Sequence, residues 1–419
     1  MRWDIKRLSV AITVGLLLMM TTAVSYAVEI TFWHTGTEDE ADAINEVAKD
    51  FTKQTGITIK TSVFSWPQSR TKFLTAIAAG VTPDIGTMGS TWPPFFGLKG
   101  GMINLSKEFP KETKRIVDET FPGAMRPCTY KGNVYGVRYD INIMLMFVRL
   151  DIFKELGLSV PGTWEEFTVV LSKLQSAGKS FAMGWGNREW IGAFPYLWQA
   201  GGTVYTDGGK KSNLSSPESL KGLKFFTDLY TKYGVPHGRI DVLTGFITGE
   251  YPVIIDGDWI GTRVAISSPE LAGKWAVAPF PKGPAGNTGF IGGRGMGIFS
   301  KSTHKKEAMQ FMEYIMTAKV QAKLFTMLVD KAGAVMLSAN TKTWSLINLE
   351  PTLARVMKKQ LENSLAPAFE VGGDESYRYL NFALEEIVLK GDDFNKAMKK
   401  ADDKTNAQMK LARDELGIK

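Results

Sequence analysis

Tryptophan is the residue type whose placement along this chain suggests chemistry. Trp33, Trp66, Trp92, Trp185, Trp190 and Trp259 fall at the ends of predicted strands or in glycine-containing loops, not on the stripe of an amphipathic helix. An aromatic plate beside a few Asp, Asn, Arg or Gln groups suits a molecule with apolar C–H faces and polar edges, as a sugar has. The plainer role for any one of them is a packed ring, and it is the stronger reading for Trp66, at a helix start, and for Trp164, inside a capped helix. His34, just past the first strand, is placed equally well to donate to a ligand hydroxyl or to serve a structural bond.

Other chemistries fit less well. The three histidines, His34, His237 and His304, are scattered, the last two read as surface, and no metal-ligand spacing exists. The single cysteine, Cys128, rules out an intramolecular disulfide and reads as a small buried hydrophobe. Asp256-Gly-Asp258 brings two carboxylates close together, as glycoside hydrolysis requires, but Asp-Gly pairs after a strand are ordinary turns. A turn or a ligand hydrogen bond is the expected role. Gly292-Gly-Arg-Gly-Met-Gly297 lacks the spacing of a dinucleotide loop and lies far from the first βαβ unit. There is no nucleophile elbow and no phosphate-binding loop of the Walker type. The net charge of +7 is spread without a long Lys/Arg run, which argues against a nucleic-acid partner.

The elements that must position these residues alternate. Val28-Glu-Ile-Thr-Phe-Trp33 reads as a strand, and Thr37-Glu-Asp-Glu40 opens a capped helix that runs to Gly56. Ile57–Val63 and Pro83–Met88 are further strands, with a helix from Ser65 to Gly80 between them. This βαβαβ order predicts a mostly parallel sheet whose strand ends carry the ligand site. Gly136–Arg149 is the segment around which the chain divides, an extended crossover from one α/β unit to the next. A cleft between two such units is the natural small-molecule site. At the N-terminus, the basic Met1–Arg7, the apolar Leu8–Met20 and Ser25-Tyr-Ala27 spell a secretory signal peptide cleaved after Ala27. No cysteine follows the apolar run to carry a lipid anchor, so a freely diffusing periplasmic protein is expected.

Taken in order, several segments resemble the solute-binding proteins of carbohydrate ABC importers, the maltose-binding-protein-like group. They are Ile30–Trp33, Phe51–Ile57, Pro83-Asp-Ile85, Tyr130–Val137, Pro161–Phe167, Asp256-Gly-Asp-Trp259, Pro279–Gly283 and Gly292-Gly293. The resemblance implies a two-lobe α/β fold of the type II periplasmic binding class, crossed three times by the chain. Crossings are expected near Asp140–Ile143, Val277–Pro281 and Thr317–Val320. One lobe would then combine residues 28–141 with 279–317, and the other 142–278 with 318–419. It also implies a non-catalytic protein with no metal or other cofactor, a small carbohydrate ligand, permease subunits of the inner membrane as partners, and a monomer. Carried over position by position, the ligand-facing residues are Trp33, His34, Ser90, Thr91, Trp92, Tyr139, Asp140, Asn142, Asp258, Trp259, Gly293 and Arg294. Trp185, Arg188 and Trp190, and then Tyr377, follow on looser alignment. Arg294 departs from the aromatic residue often found there, which leaves open a carboxylate or phosphate ligand. A secreted glycoside-active enzyme using Asp256 and Asp258 is the reading from another class.

Overall fold

The computed structural model describes residues 28–418, apart from 185, 188, 207, 239, 333, 334 and 350. The expected signal peptide, Trp185 and Arg188 therefore lie outside the described residues. The first sheet is built as the alternation predicts. β1 (Glu29–Thr35) leads into α1 (Glu38–Thr55), β2 (Thr58–Phe64), α2 (Trp66–Ala79), β3 (Ile85–Gly89) and α3 (Trp92–Leu98). The start of α1 is a capping box: the Glu40 amide donates to Thr37 Oγ1 at 3.3 Å, and the Thr37 amide donates to Glu40 Oε2 at 2.8 Å. Its apolar face, with Ile44, Val47 and Phe51, is buried against Phe32 and Ile30 of β1, each ring or branched side chain contributing roughly 1.5–3 kcal/mol. β1 pairs in parallel with both β2 and β3. The sheet is completed by β4 (Val137–Arg138) at its edge and by a strand from much later, Arg294–Ile298, between β3 and β4.

The chain then leaves this sheet through Tyr139–Ile141. β5 (Asn142–Arg149) is the centre of a second sheet, and seven of its eight residues are buried. β6 (Phe181–Met183), α4 (Trp190–Gln199), β7 (Val253–Gly257), α5 (Trp259–Ser267), β8 (Trp275–Ala278) and β9 (Gly289–Gly292) follow. β7, β8 and β9 all pair with β5 in antiparallel fashion. Here the expected second crossing needs correction. The Pro/Gly-rich stretch after Val277 is a turn within the second lobe, because Ile291 and Gly292 still pair with Ile143 and Asn142. The sheets change hands at Gly293, immediately before β10 (Arg294–Ile298) joins β3.

The third crossing also moves. After α6 (Lys305–Ile315), α7 (Ala318–Ala332) stays on the first lobe, since Val320, Leu324 and Leu328 enter the same core as Ile44 and Val47 of α1. The return passage runs beside the first one, where the Ile141 amide donates to the Leu337 carbonyl at 2.9 Å. The second lobe is closed by β11 (Ser364–Leu365), which pairs with β9, and by α8 (Gly373–Lys390) and α9 (Phe394–Glu415). Among the described residues no helix is long and apolar enough to cross a membrane.

Candidate functional site: an aromatic cleft between the lobes

Between the lobes lies a cavity of about 560 Å³, inside the range of roughly 300–1,000 Å³ usual for small-molecule sites. The first lobe contributes Trp66 from the start of α2, Ser90 and Thr91 from the end of β3, and Trp92 from the start of α3. The second contributes Trp190 from α4, Trp259 from α5, Phe290 from β9 and Tyr377 from α8. These rings are set by their neighbours: Trp66 meets Trp92 edge to face at 6.4 Å, and Trp190 stacks on Tyr377 at 4.4 Å. Trp66 stays 48% exposed in spite of its size, which is costly unless something covers it.

Polar groups stand among the rings. Asn142 and Asp374 line the same cavity, and Thr91 Oγ1 donates to Asp374 Oδ2 at 2.8 Å, joining one lobe to the other. Burial pushes the Asp374 carboxyl up to about 6, against the pull of Arg70 and of the Thr91 hydroxyl. Beside it a second bridge crosses the cleft, from Arg70 Nη2 to Glu375 Oε1 at 2.6 Å, with the Arg70 guanidinium set over the Trp92 and Phe95 rings.

The structure thus brings Ser90, Thr91, Trp92, Asn142, Trp190, Trp259, Gly293 and Tyr377 together, and leaves six expected residues behind the wall. Trp33 packs edge-on against Phe64 at 5.0 Å and beside Phe73. His34, Tyr139, Asp140 and Arg294 form a buried cluster instead. The Arg294 guanidinium donates to Asp140 Oδ2 through Nε at 2.8 Å, to Glu40 Oε1 through Nη2 at 2.7 Å, and to the Thr35 carbonyl through Nη1 at 2.9 Å. It lies over the Tyr139 ring, 5.6 Å from its centroid. Arg294 Nη1 and Glu40 Oε2 lie 3.1 and 3.4 Å from His34 Nε2, and Thr87 Oγ1 lies 2.7 Å from its Nδ1. Burial and the neighbouring guanidinium hold His34 below its ordinary range. For Glu40, burial is outweighed by Arg294, which keeps the carboxyl well below the usual range. With two carboxylates already on it, Arg294 has no charge to offer an anionic ligand.

Asp258 is likewise structural. Its Oδ1 accepts from the Ile143 amide at 2.9 Å while its own amide donates back to the Ile143 carbonyl. Asp256 and Asp258 are only 6% and 2% exposed and neither lines the cleft, which removes the arrangement a glycoside hydrolase would need. Cys128 is fully buried, as expected, and burial pushes its thiol up to about 12.

Residues 36–322 match the bacterial extracellular solute-binding protein family. The chain belongs to that family. Related solute-binding proteins include the lactose-binding protein of Rhizobium radiobacter, 24% identical over 80% of this chain and 81% of that one. The arabinooligosaccharide-binding protein of Halalkalibacterium halodurans is 19% identical over 87% and 78%. Among solved structures, the sugar-binding protein MalE of Xanthomonas citri superposes with a TM-score of 0.81 at 25% identity, covering 93% of this chain and all of that one. The fold is therefore that of type II periplasmic binding proteins, and this solute-binding protein is a binding component and not an enzyme. Its cleft also contains Trp66, which the sequence reading took for a packed ring at a helix start, and three groups that it passed over: Arg70, Phe290 and Asp374. Two carried a readable signal. Asp374 precedes Tyr377 by three residues and so shares its helix face, and Phe290 alternates with Gly292 along one strand.

Proposed function

We propose that this protein captures a neutral sugar between its lobes and delivers it to an ABC permease from the periplasm. The observation that carries the reading is the convergence of Trp66 and Trp92 from one lobe with Trp190, Trp259 and Tyr377 from the other. Such plates cover the C–H faces of a pyranose, while Asn142, Thr91 and Asp374 meet its hydroxyls. A ligand that touches both walls does so only when they are close, so it shifts the population toward the closed form. The names of its relatives support a carbohydrate over an acid or phosphate, and the neutralised Arg294 supports it independently. The N-terminal segment serves as the export signal, and the mature protein acts as an unanchored monomer.

The test is thermal melting and tryptophan fluorescence of the mature protein against neutral sugars, sugar acids and sugar phosphates. A ligand that binds only the folded state at a hundredfold excess over its Kd stabilises it by about 2.7 kcal/mol. A shift with neutral saccharides is expected. Shifts confined to anionic compounds would reject the neutral-sugar reading, and turnover of any glycoside would reject the binding-protein reading.

A further inference from the structure

Trp190, one of the plates of the cleft, is the first residue of α4. Like every amide in the first turn of a helix, its N–H has no carbonyl of its own helix to reach. Glu189 holds the cap position before it and makes no capping bond there. The acceptor comes from elsewhere: the Trp190 amide donates to Asn381 Oδ1 of α8 at 2.8 Å, across 191 positions of sequence. Asparagine is among the residues best suited to cap a helix start, a task it ordinarily performs from the position just before the helix. Here it performs that task from a different helix.

Asn381 belongs to a stripe. Asp374, Tyr377 and Asn381 follow at i, i+3 and i+7 and so share one face of α8. Asp374 accepts the Thr91 hydroxyl across the cleft, Tyr377 stacks on the Trp190 ring at 4.4 Å and 28°, and Asn381 holds the Trp190 backbone. α8 therefore fixes Trp190 at two points, ring and amide, while Phe290 meets the ring at 5.9 Å and 66°. The stack sets the plane of the plate, and the amide bond sets where the backbone that carries it begins its helix. Asn381 is half-buried, and among the described residues it is not part of the cleft wall, so it acts on a ligand only through Trp190.

We propose that Asn381 is a positioning residue for ligand binding, which caps α4 from α8 and thereby holds the Trp190 plate in the cleft. This inference rests on the sugar-binding reading above. It makes the start of α4 depend on the helix that also carries Asp374 and Tyr377, so that one face of α8 aligns both a lobe-to-lobe bond and an aromatic wall.

The experiment is titration calorimetry of the mature protein with maltose, cellobiose, mannobiose and lactose, joined to deuterium exchange of the unliganded protein over Trp190–Phe194. Asn381→Leu keeps the size of the side chain and removes the acceptor. Asn381→Asp keeps an acceptor and adds a negative charge, which a helix N-terminus favours. The Leu variant should bind the recognised disaccharide about fivefold more weakly and exchange its first α4 amides faster. The Asp variant should stay within about twofold of the wild type in both readings. In a Trp190→Ala background, adding Asn381→Leu should change affinity by less than about twofold, because the plate through which it acts is gone. Should the Leu variant fail to fold, Asn381→Ala takes its place with the same expectations. Unchanged affinity or exchange in the folded variant, failure of Asp to restore both, or the same fivefold loss in the Trp190→Ala background would overturn the positioning role and leave the sugar reading intact. Binding of none of the four saccharides by the folded wild type would overturn both.

Discussion

The Arg294 guanidinium grips the Asp140 carboxylate from β10, and so ties together two of the points where the chain passes between lobes. Asp140 lies in the first passage, Arg294 opens the strand after the second, and the Arg294 amide donates to Asp140 Oδ1 at 2.6 Å as well. Arg138, next but one along the first passage, donates to the Gly292 carbonyl on the other side of the same junction. The charges are spent on holding the two passages in register. Asp140→Asn should therefore lower stability by about 3–5 kcal/mol, because it leaves a buried guanidinium short of a partner. Arg294→Met combined with Asp140→Leu should lose less than the sum of its two single changes, since Glu40 is left unpaired in both proteins that lack Arg294. Urea unfolding of the wild type, the two single variants and the double gives the comparison, and a double loss equal to that sum would contradict this account.

Gly293 has φ +110°, and a Cβ there would stand 2.5 Å from the Asp140 carbonyl oxygen. Both the backbone conformation and the space thus require glycine. Gly293→Ala should cost on the order of 1–3 kcal/mol of stability and should weaken ligand binding besides, since the junction must displace. An alanine variant with unchanged melting temperature and unchanged affinity would show that the junction tolerates a side chain.

Trp259 and Trp92 face each other's side of the cleft, whereas Trp33 is packed behind it. Trp259→Ala and Trp92→Ala should each weaken ligand binding by about 2 kcal/mol, near thirtyfold. Trp33→Phe should leave affinity within about twofold while lowering the melting temperature. Calorimetry with the recognised sugar separates the two outcomes; a large affinity loss in the Trp33 variant would reassign it to the site.

Burial pushes the Asp258 carboxyl up to about 7, while among the described residues its Oδ2 has no hydrogen-bond partner. Its folded pKa lies above the ordinary value of about 3.9, so between about pH 4 and pH 7 the folded form holds more protons than the unfolded one. The contribution of Asp258 to stability is thus highest in acid and is lost as pH rises through that window. Asp374, raised to about 6, acts in the same direction. Replacing Asp258 with Asn should flatten this loss, by an amount of order 1 kcal/mol per pH unit across the window. Chemical denaturation of both proteins at several pH values measures the difference, and parallel pH curves would remove Asp258 as its source.

Arg70 and Glu375 form a partly exposed pair, so their worth is modest, about 0–1 kcal/mol. Because the pair exists only when the lobes are near, Glu375→Gln should raise the ligand's dissociation rate a few-fold with little effect on melting. Stopped-flow fluorescence reads the rate directly. An unchanged rate would mean that the bridge does not resist opening.

How far the sequence revealed the site depends on which kind of order each residue obeys. Thr37 and Glu40 made the first helix legible because a capping box is a local contact. The aromatic residues at strand ends and helix starts were legible because open α/β sheets put ligands there. His34 and Trp33 were misplaced by the alternation of a strand. His34 points with Phe32 into the core under α1, and Trp33 points the other way toward Phe64. Arg294 was misread because its partner Glu40 lies 254 residues away, and nothing local announces such a contact. The second crossing was set too early because Pro281 and Gly283 signal a turn but not whether the turn leaves its sheet. The pairing of Ile291 with Ile143 decides that.

The bonds from Thr91 to Asp374 and from Arg70 to Glu375 join the lobes with protein groups alone. Whatever they contribute to closure is contributed with or without cargo. A transporter that recognises its delivery protein by shape must tell laden from vacant molecules by the remainder. Stronger bridges would speed capture yet send more vacant carriers to the membrane, where they would occupy the gate without transport. The modest strength of an exposed ion pair keeps that idle traffic low.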